Sequence, residues 1–297
     1  MTGLELGAVG VTRLIEWTGP VLTVDAFFPD VEHHTWAENQ NWLAPDFWRP
    51  ADRAHPVALQ SWLLRSEGQN ILIDTGGGNG KSRPSNPAFD QLATGYLEQL
   101  AAAALAPEDI DLVVNTHLHV DHVGWNTVQQ DGQWVPTFPN ATYLLPERDL
   151  AYYAAPGTDP TRRLHIDDSV VPVLQAGQTV AFDDNYRIDK HLTLESAPGH
   201  TPGTSLVKLR SGSDQAAFIG DVLHNPIQII NPDSNSCFCL DPTAARSSRR
   251  RLLSWAADNH ALVVPAHFGG PGAAEVARQG NTFQIKRWAP FAAPPPI

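Results

Sequence analysis

Two stretches of the chain repeat one order of apolar and polar segments. In the first stretch, apolar runs over 57–64 and 70–74 flank the polar turn 67–69, which predicts a β-hairpin. Apolar residues then recur near helical spacing over 87–105, and this period predicts a helix. The largely apolar run 110–114 predicts a buried strand.

The second stretch follows the same order. Residues 191–195 predict a strand, and the runs 204–209 and 216–219 predict a second hairpin. A helix is predicted over 243–258, and a strand over 261–264 follows it. Because each stretch passes from strands through a helix to a further strand, we expect a layered α/β fold in which helices cover the sheets.

The length of 297 residues fits one large domain or two small ones. The repeated plan and the lack of an obvious linker favour a single domain, 1–297, made of two similar halves. We expect a functional cleft between the halves. The proline-rich segment 290–297 is interpreted as a terminal tail.

One aromatic segment, about 25–50, has no clean period. Four large rings crowd a proline-interrupted stretch, which favours a loop over a helix. Such a loop either covers an apolar pocket or contacts a second copy of the chain, so a homodimer is one interpretation. We expect seven aromatic side chains to line a substrate pocket: Phe28, Trp36, Trp42, Phe47, Trp48, Trp125 and Phe268.

The composition narrows the classes of partner. Hydrophobic residues make up 42% of the chain and charged residues 18%, so the chain can bury a core. The net charge of −12 repels phosphate backbones, so we expect no nucleic-acid partner. No apolar run approaches the roughly 20 residues that cross a bilayer. Residues 1–17 lack a secretory pattern, so we expect a cytoplasmic protein that binds no membrane.

Two cysteines, Cys237 and Cys239, are separated by a single residue. A disulfide between side chains this close in sequence would be strained. We therefore expect two free thiols, and buried thiols are favoured over metal ligands.

The segment 117–122 holds the strongest chemical pattern in the chain. His117 and His119 are two residues apart, so in an extended backbone both imidazoles project to the same side. Asp121 and His122 follow at once, and a turn there would direct them to a second point nearby. Burying this many polar groups without partners costs about 1–3 kcal/mol each, so the pattern favours a metal site. A predicted strand precedes the segment and would hold the ligands rigidly.

Three later motifs add candidate ligands. They are His200 in Ala-Pro-Gly-His, Asp221 in Gly-Asp, and His267 in Pro-Ala-His. Together with the first segment they supply ligands for two adjacent cations.

These residues resemble the ligand motifs of the metallo-β-lactamase superfamily. His117, His119, Asp121 and His122 match its HxHxDH signature, and the resemblance covers roughly residues 55 to 270. It implies a four-layer αββα sandwich with the metal site in the cleft between the sheets. It also implies two divalent ions, usually zinc, although manganese, iron or cobalt suits the same ligands.

The resemblance also implies a role for each ligand. His117, His119 and His200 would hold one ion, and the second ion would be held by another three residues, Asp121, His122 and His267. Asp221 would bridge the two ions. Asp74 matches an acidic position behind the site and would orient a ligand imidazole.

We expect the reaction to be hydrolysis of a small molecule. Two cations that share a carboxylate lie about 3.5–4 Å apart and convert water to hydroxide near neutral pH. This bridging hydroxide would attack the carbonyl of a carboxylic ester or lactone that has an apolar portion. Asp121 would also be able to shuttle a proton.

The lactonase and organophosphate-hydrolase branch of the superfamily is the most similar in pattern. Its lactonases carry a Tyr three residues after the bridging Asp, whereas this chain has His224 there. His224 would donate a hydrogen bond to the oxyanion or protonate the leaving group, or it would only line the cleft or cap a turn. Phosphotriester hydrolysis is the alternative reaction. An iron oxygenase acting on sulfur compounds and a non-catalytic metal-binding module rank lower.

Overall fold

The structure is a computed structural model that describes residues 3–157, 161, 163–289 and 291. The predicted proline-rich tail, 290–297, lies outside the described residues except for Phe291. The strands are β1 (Gly3–Leu6), β2 (Val9–Thr23), β3 (Ala54–Ser66), β4 (Gln69–Ile73), β5 (Leu112–Val114), β6 (Thr127–Gln130), β7 (Gln133–Pro136), β8 (Thr142–Pro146), β9 (Thr179–Phe182), β10 (Tyr186–Arg187), β11 (Leu192–Ser196), β12 (Ser205–Ser211), β13 (Asp214–Phe218), β14 (Leu262–Val264), β15 (Ala274–Gln279) and β16 (Thr282–Trp288). The helices are α1 (Val24–Phe27), α2 (His33–Glu38), α3 (Gln40–Leu43), α4 (Tyr96–Ala102), α5 (Glu147–Ala154), α6 (Leu164–Ser169), α7 (Val171–Gln175), α8 (Ile227–Ile230) and α9 (Pro242–Asn259). Within the described part of the chain, no helix is long and apolar enough to cross a bilayer.

The strands form two sheets of seven, in the orders β1-β2-β3-β4-β5-β8-β9 and β10-β11-β12-β13-β14-β15-β16. Strands β6 and β7 form a separate hairpin. In the first sheet the antiparallel pair β3–β4 is followed by the parallel pair β4–β5. The second sheet repeats this order with β12–β13 and β13–β14. The predicted hairpins, and the plan of two similar halves, are therefore confirmed.

The side chains of the central strands alternate between two apolar layers. Leu64, Ile71 and Ile73 belong to the cluster between the two sheets, whereas Leu63 and Leu72 belong to the outer cluster under α4, α6 and α7. This alternation follows from the two-residue period of a strand. Each fully buried aliphatic side chain contributes about 1.5–3 kcal/mol relative to exposure.

The second sheet is apolar on both faces in the same way. Val207, Leu209 and Phe218 face the first sheet, while Ala217 and Val263 pack in the outer cluster with α9. The molecule therefore has four layers, in the order helices, first sheet, second sheet and helices. One apolar cluster lies between each pair of adjacent layers. The predicted αββα sandwich is confirmed.

The aromatic segment 25–50, predicted as a loop, contains three short helices joined by irregular stretches, so the prediction of a loop is correct for only part of it. It contains α1, α2 and α3, which are only four to six residues long. Helices this short cannot display a helical period, which explains the error. The rings of this segment pack on one another, with centroids 5.8 Å apart for Phe28 and Trp36 and 6.1 Å apart for Trp36 and Trp48.

The helix predicted over 87–105 is much shorter in the structure, where only α4 is helical in that region. The preceding segment is held as a loop by the Asn79 side chain. Asn79 Nδ2 donates to Thr94 O at 2.9 Å, and Thr94 N donates to Asn79 Oδ1 at 2.8 Å. A side-chain amide that takes backbone bonds in this way competes with helix formation. By contrast, the helix predicted over 243–258 is confirmed as α9.

A buried ion pair fixes this loop to α6. Arg83 donates from Nη1 to Asp168 Oδ2 at 2.6 Å and from Nη2 to Asp168 Oδ1 at 2.8 Å. Lys81 Nζ lies 3.5 Å from the same carboxylate, and its side chain is fully buried. Burial would raise the pKa of Asp168, but the bonds from Arg83 and the charge of Lys81 outweigh burial and lower that pKa below its usual 3.8.

We expect Asp168→Asn to lower the free energy of unfolding by about 3 kcal/mol, because it leaves two buried cations without a full counter-charge. The pKa of Asp168 is lower in the folded protein, so its stabilisation is present above about pH 3.8 and is lost as the pH falls further. Urea titrations at pH 7, 5 and 3.5 should therefore show the difference between wild type and variant shrinking only at the lowest pH.

Asp167→Asn is the matched control, because Asp167 is the neighbouring carboxylate on α6, with its side chain 58% exposed. An exposed pair contributes about 0–1 kcal/mol, so this variant should unfold almost as the wild type does. Equal losses in the two variants would contradict the role given to the buried pair.

Candidate metal centre

The candidate ligands follow the carboxyl ends of neighbouring strands. The segment 117–122 follows β5, Asp221 follows β13, and His267 follows β14. Because β4–β5 and β13–β14 are parallel pairs, these strand ends meet at one edge of each sheet. His200 lies in the loop between β11 and β12. The cluster is therefore assembled from both halves of the fold.

Gly199 allows the His200 loop to approach α9 closely. Its φ is 135°, and a Cβ at this position would come within 2.1 Å of Ala245 N. Any larger residue would push the loop away from the helix.

The first ligand group is formed by four side chains whose ligand atoms face one another. His119 Nδ1 lies 3.1 Å from His117 Nε2 and 2.8 Å from His200 Nε2. Asp221 Oδ2 lies 3.2 Å from His200 Nε2. Ligand atoms arranged tetrahedrally about 2.0–2.2 Å from a zinc ion would lie about 3.3–3.6 Å from one another. The fourth separation, from His117 Nε2 to Asp221 Oδ2, is 3.7 Å, so the group lies within about 0.5 Å of the spacing that a cation of this size needs.

A second ligand group lies on the other side of Asp221. His267 Nε2 lies 3.2 Å from His122 Nε2 and 3.4 Å from Asp121 Oδ2. Asp221 Oδ1 is 3.0 Å from His267 Nε2 and 3.3 Å from His122 Nε2. This buried oxygen has no hydrogen-bond partner of good geometry among the described residues. Asp221 thus presents one oxygen to each group.

The pKa values of the clustered histidines bear on how the cluster would bind a cation. Burial and neighbouring imidazoles hold the pKa of His117 and that of His119 well below the usual 6.5. Burial would lower the pKa of His122 too, but the carboxylates of Asp221 and Asp74 outweigh burial and raise it well above 6.5. A divalent ion would displace such protons, so cation binding should release protons and weaken as the pH falls.

Asp74 lies directly behind the ligands, where the sequence resemblance places it. Its Oδ2 is 2.9 Å from His122 Nδ1 and accepts from Thr116 Oγ1 at 2.8 Å. Thr116 Oγ1 is in turn 3.2 Å from His117 Nδ1. On the other side, His267 Nδ1 lies 3.1 Å from Ala58 O. These contacts orient three imidazoles so that Nε2 faces the cluster.

Asp149 of α5 is a structural carboxylate that sequence reasoning missed. It is fully buried, and it accepts bonds from Leu118 N at 3.0 Å, Gly203 N at 2.7 Å and Thr201 Oγ1 at 2.9 Å. One side chain thus joins the loop of His117 to the loop of His200. Nothing in the sequence around Asp149 distinguishes it from a surface acid, so no sequence signal could have found it.

A cavity of about 1020 Å³ opens beside the cluster. Five of the candidate ligands line it: His119, Asp121, His200, Asp221 and His267. Three of its wall residues are large and exposed apolar side chains, Leu22 at 38%, Phe238 at 44% and Leu240 at 48%. The cavity therefore joins a polar, ligand-bearing end to an apolar mouth.

The seven aromatic side chains expected to line the pocket do not line this cavity. Phe28, Trp36, Phe47, Trp48, Trp125 and Phe268 are core residues no more than 4% exposed, and Trp42 packs against the same apolar cluster as most of them. Nearness to a ligand in sequence does not reveal which side of the backbone a ring occupies, which explains the correction. Other rings, including Phe27, Phe89 and Phe238, form the walls.

His224 lies inside the cluster, as expected from its position after Asp221. Its Nε2 is 3.1 Å from Asp221 Oδ2, and its ring is stacked on His267 with centroids 6.0 Å apart. Neither of its ring nitrogens makes a hydrogen bond of good geometry with the described residues. Burial lowers the pKa of His224 to about 4, so the ring is neutral. Gln228 Oε1 holds its backbone by accepting from His224 N at 2.7 Å.

Both cysteines line the cavity as free thiols. Cys237 is exposed, so the prediction of a buried thiol is wrong for this residue. Cys239 is partly exposed. The backbone of Cys237 donates to Phe27 O at 2.8 Å, which fixes this loop against the cavity wall.

The sequence profile described as "Metallo-beta-lactamase superfamily" matches residues 56–267 of this chain. The chain is 30% identical over 245 residues to "Metallo-beta-lactamase domain-containing protein 1" of Mus musculus, which covers 80% of this chain and 70% of that protein. It is 28% identical over 274 residues to "Acyl-coenzyme A thioesterase MBLAC2" of Bos taurus, with 86% and 87% covered.

Two further similarities concern lactonases. The chain is 33% identical to "N-acyl homoserine lactonase AttM" of Azorhizobium caulinodans over 112 residues, which is 37% of this chain and 39% of that protein. The solved structure of "AidC, a Dizinc Quorum-Quenching Lactonase" superposes with a TM-score of 0.76 at 23% identity and covers 98% of this chain and 97% of its own. At this identity the superposition shows the fold alone.

We expect zinc chloride to raise the Tm of metal-stripped wild type and to raise that of Asp221→Asn much less. Asn presents an amide NH₂ to imidazole nitrogens in place of one carboxylate oxygen. At free zinc 1,000-fold above Kd, binding adds about 4.1 kcal/mol to stability, and 100-fold weaker binding removes about 2.7 kcal/mol of this. Calorimetry with and without zinc measures the difference.

Asp131→Asn serves as the control for loss of a negative charge, because Asp131 is exposed at the β6–β7 turn. It should respond to zinc as the wild type does. Equal zinc-induced shifts in Asp221→Asn and the wild type would contradict the assignment of Asp221 as a ligand.

Proposed function

The chain belongs to the metallo-β-lactamase superfamily, and on this basis we propose that it is a dinuclear metal-dependent hydrolase of carboxylic esters or lactones. The observation that carries the proposal is the geometry of Asp221, whose two oxygens face separate ligand groups at 3.0–3.2 Å. Because both sheets contribute ligands, the proposal treats residues 1–297 as one catalytic unit.

The proposed ligand sets follow the two groups of side chains. His117, His119 and His200 hold one ion, and Asp221 is shared with the second. The second ion is held by Asp121, His122 and His267. Imidazole and carboxylate ligands without cysteine suit zinc, and they also accept manganese, iron or cobalt. A set of this kind that borders an open cavity is typical of a catalytic site rather than a closed structural one.

When bound, two divalent ions supply a hydroxide nucleophile near neutral pH and polarise the carbonyl under attack. The chain's own residues then complete the reaction. Asp121, whose side chain is 13% exposed towards the cavity, accepts the proton that the attacking water loses. His224 donates a hydrogen bond to the oxygen on which negative charge develops, because its ring borders the cavity and its buried nitrogens make no hydrogen bond of good geometry with the described residues.

The cavity supports an uncharged substrate with an apolar portion. Among the described residues that line it, Arg83 is the only arginine or lysine, and its guanidinium is bonded to Asp168. A coenzyme A thioester would bring several phosphate charges to a chain of net charge −12 without a free cation at the described walls. A lactone or simple ester that carries an alkyl or aryl group needs no such partner.

A substrate panel tests the proposal directly. We expect zinc-loaded protein to hydrolyse alkyl-substituted lactones and aryl esters, with kcat/KM rising as the alkyl chain lengthens. Acyl-coenzyme A thioesters should be poor substrates. Chelation should abolish turnover, and zinc should restore it. Hydrolysis of an aryl phosphotriester without activity on any carboxylic ester would replace this proposal with the phosphotriesterase alternative.

Two variants test whether the apolar part of the substrate binds in the cavity rather than to exposed apolar side chains elsewhere on the surface. Phe238→Ser should raise KM for the longest substrate about 10-fold, because it removes roughly 1.5 kcal/mol of apolar contact. It should leave the KM for the shortest substrate unchanged. Leu174→Ser is the matched control, since Leu174 is 40% exposed and lies outside the cavity lining.

We expect His224→Ala to lower kcat about 100-fold with little change in KM, because it removes one hydrogen bond to the transition state. His224→Gln retains an N–H donor and should keep kcat within about 10-fold of the wild type. Stopped assays on an alkyl lactone and on a nitrophenyl ester measure both variants. Unchanged turnover in His224→Ala would remove the residue from the mechanism.

The choice of substrates distinguishes the two roles of His224. A nitrophenolate leaves without a proton, whereas an alkoxide needs one. If His224→Gln is as slow as His224→Ala on the lactone but both hydrolyse the nitrophenyl ester normally, His224 is a proton donor instead.

A further inference from the structure

His165 of α6 borders the cavity but is not one of the candidate ligands. Its Nε2 lies 2.8 Å from Leu118 O. A carbonyl oxygen only accepts hydrogen bonds, so Nε2 must carry a proton and act as the donor. Burial lowers the pKa of His165 to about 4, so the ring holds no second proton near neutral pH. The other nitrogen, Nδ1, is therefore an acceptor.

The ring of His165 is held in one orientation. The Tyr153 ring packs against it with centroids 5.0 Å apart and an interplanar angle of 86°. Asp168, on the same helix, is bonded to Arg83 and fixes α6 to the wall segment 82–89. Because the acceptor is already oriented, a molecule that binds to it does not have to order this side chain.

Nδ1 of His165 has no partner among the described residues. No described residue donates a hydrogen bond to it, and unlike Nε2 of His55 it remains accessible to solvent. The residue as a whole is only 8% exposed, and its ring borders the cavity. A molecule that fills the cavity removes water from this nitrogen, which is unfavourable unless the molecule donates a hydrogen bond in its place.

The His165 acceptor lies at the polar end of the cavity. Leu118, to which Nε2 donates, stands between His117 and His119. The exposed ring of Phe238 belongs to the apolar mouth. A molecule whose carbonyl reaches the candidate ligands therefore brings the atoms next to that carbonyl, rather than the end of its apolar chain, close to His165.

We propose that His165 is a specificity-determining residue: its Nδ1 accepts a hydrogen bond from a hydroxyl or an amide N–H that the substrate carries beside the carbonyl under attack. The preferred substrate is then an uncharged lactone or ester with this donor near its carbonyl and an apolar portion further away. The proposal rests on the proposed function, which by itself requires no donor on the substrate. A site that bonds a substrate hydroxyl or N–H discriminates against analogues that lack it.

Matched substrates measure the preference for a donor. One pair is a γ-lactone with a hydroxyl on the carbon next to the carbonyl, and the same lactone with a methoxy group there. The second pair carries an acetamido group and an N-methylacetamido group at that carbon. One net hydrogen bond changes binding about 3–10-fold, so zinc-loaded wild type should show a kcat/KM higher by this factor for the donor member of a pair. The difference should lie mainly in KM.

Variants assign this preference to His165. His165→Phe keeps a ring but removes the acceptor, so the ratio of kcat/KM within a pair should fall to about one. His165→Gln has an N–H for Leu118 O and a carbonyl oxygen for the cavity, and it should keep most of the preference. Loss of the bond to Leu118 affects both members of a pair equally, so the ratio isolates the role of Nδ1. His191→Phe makes the same change outside the cavity lining and should keep the wild-type ratio.

The outcomes separate this proposal from the proposed function. An unchanged ratio in His165→Phe overturns the role of His165, and so does a wild type that hydrolyses both members of each pair equally well. A wild type that hydrolyses none of the four lactones contradicts the proposed function instead, and a binding experiment then decides the role of His165.

This binding experiment needs no hydrolysis and no variant. In the ¹H–¹⁵N NMR spectrum of zinc-treated wild type, His165 should show a protonated Nε2 and an unprotonated Nδ1. The ketone 2-hydroxycyclopentanone presents a hydroxyl beside a carbonyl but has no ester bond to hydrolyse, and it should shift the Nδ1 resonance. The methylated ketone 2-methoxycyclopentanone should not. A protonated Nδ1, or equal shifts with the two ketones, overturns the proposal.

Discussion

The candidate metal centre depends on one buried carboxylate, Asp221, whose oxygens face two groups of candidate ligands at once. Burial opposes the ionisation of Asp221, yet the imidazoles of His267, His122 and His224 outweigh burial and hold its pKa well below the usual 3.8. A charge in this position cannot be relieved by water, so it requires cationic partners on both sides. The imidazoles of His200, His267 and His122 accordingly lie within 3.3 Å of the Asp221 carboxylate.

The sandwich fold supplies these partners because strands from both halves end next to Asp221. The segment 117–122 comes from the first sheet, while Asp221 and His267 come from the second. Asp74 and Asp149 then fix the ligands by accepting bonds from the backbone and side chains of the ligand loops. Acidic residues thus act in two layers: Asp121 and Asp221 belong to the candidate ligand groups, and Asp74 and Asp149 hold the candidate ligands in place.

Sequence reasoning found the parts of this arrangement whose pattern is local. The spacing of 117–122 after a predicted strand placed four ligands, and the two hairpins followed from apolar runs around turns. It missed β2, because β-bulges near Ile15 and Pro20 break the two-residue alternation. It also misplaced the aromatic pocket, because the position of a ring in the sequence does not show which apolar cluster the ring joins. Asp149 acts only through contacts distant in sequence, so no local pattern reveals it.

One wall of the cavity, the segment 82–89, is anchored by residues other than those that anchor the candidate ligands. The wall segment 82–89 is held through Arg83 and α6, whereas the ligand loops are held through Asp74 and Asp149. Substitution or lengthening of the wall therefore alters the shape offered to an incoming molecule while the spacing of the imidazoles stays the same. A scaffold built in this way allows selectivity to diversify among descendants without rebuilding the reaction centre.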